Sequence, residues 1–202
     1  MEPFTTLRSK ATPLLVDNVD TDVITPIGRV LEGPKAMVEF AFEPLRYDAS
    51  GALRADCVLN DPRFAGAEIL LAGENFGCGS SRETAVWAVR GLGFRCVVAP
   101  GFGDIFHSNC FKSGILPIDL PRGDVDALAA IARAGGELEV DLPAQRIGAG
   151  ATSHLFEIPA LRKEALLLGL DDFGLIQRRM DAIRAFERRD RETRAWVYPD
   201  GC

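Results

Sequence analysis

Apolar residues in this chain come in short blocks, separated by turns rich in glycine and acids. Residues 12–16 read as an early strand running into an acid-rich turn. A short helix is expected over 35–43, after Gly33-Pro34, and Asp48-Ala49-Ser50-Gly51 has turn chemistry. The most regular part begins at 68–72, whose apolar run predicts a buried strand. Residues 82–90 follow a helical pattern that stops at Gly91 and Gly93, and 95–99 read as another strand. A strand, a helix and a strand at this spacing predict a right-handed βαβ unit with parallel strands. A second helix is expected over 104–112, stopped by Gly114, with Ile115–Ile118 as strand or sheet edge. Asp124 is expected to cap a helix over 125–133, ended by Gly135-Gly136. Short strands are expected over 137–142 and 154–158. Beyond Pro159 the pattern is helical to about Thr193, with breaks near Gly169 and Gly174. There is no internal repeat and no low-complexity segment.

The 202 residues fit one domain with an appendage, and 47% hydrophobic content suffices for a core without disulfides or metal. A net charge of −6 speaks against nucleic acid and anionic membranes as partners. No apolar run is long enough to cross a bilayer, and Met1–Lys10 has no apolar signal core, so a cytoplasmic protein is expected. The cysteines at 57, 78, 96, 110 and 202 are odd in number and form no Cys-x-x-Cys pair, which fits reduced thiols. Cys96 sits in an apolar run and is expected to be buried. With only His107 and His154 far apart, neither a zinc site nor an iron–sulfur cluster finds its usual spacing, so no metal is expected in this chain. Residues 178–194 hold seven arginines among four acids. A solvated amphipathic helix, or one docked on a partner subunit, is the expected meaning, with RNA binding as the sharper alternative.

The candidate chemistry centres on Asn75-Phe76-Gly77-Cys78-Gly79-Ser80-Ser81-Arg82-Glu83, between a predicted strand and a predicted helix. Glycines at 77 and 79 permit backbone conformations closed to other residues. A helix N-terminus attracts an anion through its unpaired N–H groups, and Arg82 can grip a carboxylate with two parallel bonds. The same residues also suit an ordinary turn and N-cap. Two further polar segments accompany it, Asn18-Val19-Asp20-Thr21-Asp22 and the stretch from Gly101 to Gly114. For Asp20 and Asp22 capping is the alternative to catalysis. For Asp104, Asn109 and Lys112, capping and surface charge are the favoured reading, and His107 is read as a packed or exposed helix residue.

In order and spacing, Asn18 through Pro26, Asn75 through Glu83 with Trp87, and Gly101 through Pro117 together resemble the small subunits of 3-isopropylmalate dehydratase, which correspond to the mobile C-terminal domain of aconitase. The resemblance covers roughly residues 4–120, and the last third matches loosely. It implies an α/β fold of the aconitase swivelling-domain type (β/β/α) over 1–158, with a helical extension over 159–202. It also implies reversible dehydration of a hydroxy-dicarboxylic acid, with a [4Fe–4S] cluster held by a large partner subunit and no cofactor in this chain. Residue by residue, Ser80 would be the alkoxide base, Ser81 and Arg82 would bind substrate, and Asp22 would orient the charged groups around the base. The chain departs from the family at Thr84, where a histidine is common. It departs again over Ile27–Ala36, where a substrate-reading Arg-Thr-Gly is absent and Arg29 or Lys35 would have to supply the cation. The implied substrate is isopropylmalate. Methylmalate, citraconate, dimethylmalate or homoaconitate type acids, or a non-catalytic anion-binding module, are the alternatives.

Overall fold

The computed structural model describes residues 1–79 and 83–198. The chain opens with β1 (Thr6–Ser9) and β2 (Ala11–Leu14). Four short helices follow: α1 (Thr21–Ile24), α2 (Ile27–Leu31), α3 (Pro34–Glu39) and α4 (Glu43–Arg46). After 3-10 turns at Val58–Asn60 and Pro62–Phe64 come β3 (Ile69–Ala72), α5 (Glu83–Gly91), β4 (Cys96–Ala99), α6 (Asp104–Lys112) and β5 (Leu116–Asp119). Then come α7 (Arg122–Arg133), β6 (Leu138–Asp141), β7 (Arg146–Ala149) and β8 (Thr152–Leu155). The chain closes with α8 (Ala160–Leu168), α9 (Asp172–Gln177), α10 (Met180–Thr193) and a 3-10 turn at Ala195–Val197.

Strands β2, β3, β4 and β5 pair in that order, all parallel, as the βαβ spacing predicts. Strands β1, β6, β7 and β8 form a separate antiparallel sheet. Successive side chains of a strand point to opposite faces, so a strand covered on both sides must be apolar throughout. Every residue of β3 and β4 is fully buried. In β4, Cys96 and Val98 join a core with α7 and the antiparallel sheet, through Leu138, Val140 and Ile147. Val97 and Ala99 join the opposite core with α5 and α6, through Val86, Val89 and Phe106. The result is antiparallel sheet, parallel sheet and helices in layers, with α7 on the side of the antiparallel sheet.

Several expectations need correction. The helix expected over 35–43 is two helices, because buried Phe42 takes φ +57° between them and Pro44 sits in the first turn of α4. Pro121 precedes α7, and Asp124 lies in its first turn instead of capping it. Of the two tail breaks, Gly169 is a left-handed C-cap, whereas Gly174 lies inside α9, whose N-cap Asp171 accepts from the Gly174 amide at 2.8 Å. The strand expected over 154–158 is β8, displaced to 152–155 by its hairpin with β7.

Candidate active site

Parallel strands end on a common edge, and in open α/β sheets ligands bind outside those carboxyl ends. The segments leaving β2, β3 and β4 run side by side there. Asn18 donates its amide to Glu74 O at 2.8 Å, Gly77 to Val19 O at 2.7 Å, and Thr21 to Cys78 O at 2.9 Å. On the other side Phe76 donates to Gly101 O at 3.0 Å and Gly103 to Phe76 O at 2.9 Å. Side chains reinforce the seam. Asn75 Nδ2 donates to Asn18 Oδ1 at 3.0 Å, and Asp17 Oδ1 accepts from the Glu74 amide at 2.8 Å and from Arg122 Nη1 at 2.8 Å. The middle segment is thus sutured on both flanks, and the sheet's parallel order continues past its strands through bridges Asp20–Cys78 and Phe76–Phe102.

Beneath the polar surface lies an aromatic floor. Phe76 is fully buried, edge-on to Phe106 with ring centroids 5.4 Å apart, and stacked against Phe42 at 6.3 Å. Gly77 takes φ +73°, and a Cβ there would strike the Phe106 ring. A Cβ on Gly103 would meet Gly77 O at 2.5 Å and Cys78 Cα at 2.9 Å. The segments after β3 and β4 therefore approach to a distance that only glycine allows.

Of the residues singled out in the sequence, Asp20 is the N-cap of α1, its Oδ1 accepting from the Val23 amide at 2.7 Å. Capping accounts for Asp20, while Asp22 is exposed in the first turn of α1, next to the strand-like pairing of Asp20 with Cys78. Ser80, Ser81 and Arg82 lie outside the described residues; the chain reaches them from Gly79 and resumes at Glu83, which opens α5.

Arg29 is committed elsewhere. Its Nε and Nη2 donate to Glu43 at 2.9 and 2.5 Å, its Nη1 to Glu32 at 2.8 Å, and its guanidinium lies 3.8 Å from the Phe40 ring centroid. Glu43, and then Glu32, hold the guanidinium firmly charged, and Arg29 in turn holds the Glu43 carboxyl below its usual range. Lys35, in the first turn of α3, is exposed.

His107 packs between Phe102 and Phe111, at 5.4 and 5.2 Å, with Nε2 3.2 Å from Asp119 Oδ2. Asn109 is buried, whereas Asp104 and Lys112 are exposed. Cys96 and Cys110 are buried, and burial pushes both thiols up. Cys78, in the middle segment, is half-buried. Among the described residues no group of three or more His, Cys, Asp or Glu is placed to hold a metal. No helix among them is long and apolar enough to cross a membrane. Sequence reasoning missed Asp17 and its ties to Glu74 and Arg122, since neither residue type nor local spacing announces a contact across 105 positions.

The family model described as the aconitase C-terminal domain matches residues 1–123. Curated 3-isopropylmalate dehydratase small subunits from Rhodospirillum centenum and Paramagnetospirillum magneticum are 49% and 48% identical, over 98% of this chain and 99% and 100% of theirs. The chain belongs to the 3-isopropylmalate dehydratase small-subunit family. A further such small subunit, from Dinoroseobacter shibae, is 46% identical over 98% of this chain. A solved structure of 3-isopropylmalate dehydratase from Methanocaldococcus jannaschii shares the fold, with a TM-score of 0.65 and 24% identity, over 90% of this chain and 99% of that one. The fold is accordingly of the aconitase C-terminal type, with mixed parallel and antiparallel sheets. The last third, which matches the family's motifs loosely, is covered by the full-length small subunits of this family. A small subunit has a large one as its partner.

Proposed function

We propose that this chain is the small subunit of a cytoplasmic hydro-lyase that interconverts 2-isopropylmalate and 3-isopropylmalate, a step of leucine biosynthesis. The observation that carries the reading is the identity with curated small subunits over nearly the whole length of both chains. The convergence of the 18–22, 75–79 and 101–103 segments on one sheet edge supports it.

The reaction removes a proton from the carbon beside a carboxylate and a hydroxyl from the neighbouring carbon. Water then adds back with the two positions exchanged. Ser80 takes the proton as an alkoxide and returns it on rehydration. A serine serves as base only where its anion is stabilised, and Arg82 with the amides opening α5 supplies that field. Ser81 donates to substrate, and the fork of Arg82 holds one carboxylate. Asp22 orients the charged groups around the base. A [4Fe–4S] cluster held by the large subunit would supply the Lewis acid that the departing hydroxyl needs.

Lys35 is the better candidate for the second carboxylate, because the Arg29 guanidinium is taken by Glu43 and Glu32. Arg29 instead fixes α2, on which Ile27 and Leu31 are exposed by 54% and 83% and offer apolar wall for an isopropyl group. The test is reconstitution with an iron–sulfur large subunit, followed by turnover of isopropylmalate beside methylmalate, dimethylmalate and homoaconitate type acids. Isopropylmalate is expected to have the highest kcat/KM. A different acid in first place overturns the substrate, and no turnover of any overturns the reading.

A further inference from the structure

Helix α2 is five residues long, buries none of them and has no side-chain N-cap. A helix this short is not stable on its own and must be held by tertiary contacts. Arg29 supplies them. Its Nε and Nη2 bond the two Glu43 oxygens side by side, and its Nη1 bonds Glu32 at 2.8 and 3.1 Å. The Phe40 ring lies against the guanidinium, its centroid 3.8 Å away. A fork paired with a carboxylate is the strong form of ion pair, and stacking on an aromatic face adds to it. The Arg29 and Glu43 side chains are exposed by only 27% and 29%, which spares the pair much of the screening that weakens surface bridges.

The other end of this clamp is anchored under the candidate site. Glu43 opens α4 and follows Phe42. The Phe42 amide donates to the carbonyl of Ile24, the last residue of α1, at 2.9 Å, and its buried ring stacks on Phe76. Phe76 belongs to the segment that leads to Ser80, and α1 carries Asp22. Arg29 therefore links α2, through Glu43 and Phe42, to the aromatic floor. Residues i and i+4 of a helix share a face, and residue i+2 lies across from them. Ile27 and Leu31 thus stand on one side of α2, exposed, and Arg29 on the other, largely covered.

We propose that Arg29 and Glu43 are positioning residues for substrate selection: their clamp holds the Ile27–Leu31 face in a set place relative to the base-bearing segment, where it packs against the branched apolar group of the hydroxy diacid. The inference rests on the reading above, which takes that face as the wall for an isopropyl group. A wall distinguishes alkyl groups only if it does not give way, and one methylene in a firm pocket is worth about 10–200-fold. On an unclamped five-residue helix the wall yields to either group, and discrimination is lost.

The test compares kcat/KM for 2-isopropylmalate and 2-methylmalate in the pair reconstituted with the iron–sulfur large subunit. Arg29→Ala and Glu43→Ala are each expected to lower the isopropyl-to-methyl ratio at least about tenfold, mainly through KM for isopropylmalate. Arg29→Lys keeps the charge and loses the fork, so its ratio should fall between; it carries the test if an alanine variant does not fold. Arg29→Met/Glu43→Leu exchanges the ions for apolar contact and is expected to regain most of the ratio. The Val30 and Gly33 amides, which bond to Pro26 O and Val30 O, should exchange faster in the alanine variants and not in the Met/Leu pair. A ratio unchanged in the single variants, or unchanged exchange at both amides, overturns the clamp and leaves the functional reading standing. KM rising equally for both acids in Arg29→Ala, with Glu43→Ala lowering it, makes Arg29 a substrate cation and overturns the inference. A wild-type pair that turns over neither acid, or prefers the methyl one, overturns the functional reading and the inference together.

Discussion

At Gly103 one segment of the candidate site passes against the backbone of another, and a single methyl group there has no room: its nearest neighbours would be Gly77 O at 2.5 Å and Cys78 Cα at 2.9 Å. Those atoms belong to backbone that cannot rotate away. Gly103→Ala is therefore expected to destabilise the chain by about 1–3 kcal/mol, the usual cost of overpacking, and to lower turnover because Cys78 lies two residues before Ser80, the base we propose. A urea midpoint equal to wild type would contradict the close approach. Arg82→Lys addresses recognition at the same scale. An ammonium cannot reproduce the planar fork, so KM for isopropylmalate should rise at least about tenfold in the reconstituted enzyme. An unchanged KM would move the carboxylate clamp to another cation.

Among the elements, the link between Asp17, the segment after β3 and α7 makes a pH-dependent contribution. The Glu74 amide and then Arg122 hold the Asp17 carboxyl below the ordinary value of 3.8. A depressed native pKa stabilises the fold fully above the unfolded value, and the contribution is lost as pH falls through the native one. Asp17→Asn should lower the urea midpoint at neutral pH, and its gap from wild type should close as pH drops below about 3.8. A gap constant with pH would mean that the ion pair contributes nothing.

This link also marks where reading the sequence stops. The buried strands β3 and β4 were legible because burial on both faces demands an unbroken apolar run, and α5 and α6 because glycines close them. Strand β1 was not legible. Four residues with alternating exposure, paired with β6 beyond α7 and far from them in sequence, leave no local signal. Strand β7 was hidden by Gly148, which is pressed against Thr152 in the hairpin. The site followed the same rule. Gly77, Asp20 and Asp22 announce themselves by residue type, whereas the engagement of Arg29 depends on Glu43, fourteen positions away across a kink at Phe42.

For the whole molecule, the layers place the Asp22 turn, the glycine-rich segment and Gly103 on one edge. Such a chain is expected to hold half of an active site. Alone, it should show no hydratase activity and bind no cluster when purified anaerobically with iron and sulfide; stoichiometric cluster in the isolated chain would contradict this division of labour. The central claim is that the segment after β3 carries the base. The most direct test is kcat for 2-isopropylmalate of the reconstituted pair with Ser80→Ala, at partner concentrations shown by sedimentation to saturate assembly. The account predicts a loss of about two to four decades with assembly intact, the scale of removing a catalytic base. A kcat near wild type would place the base elsewhere and contradict the account.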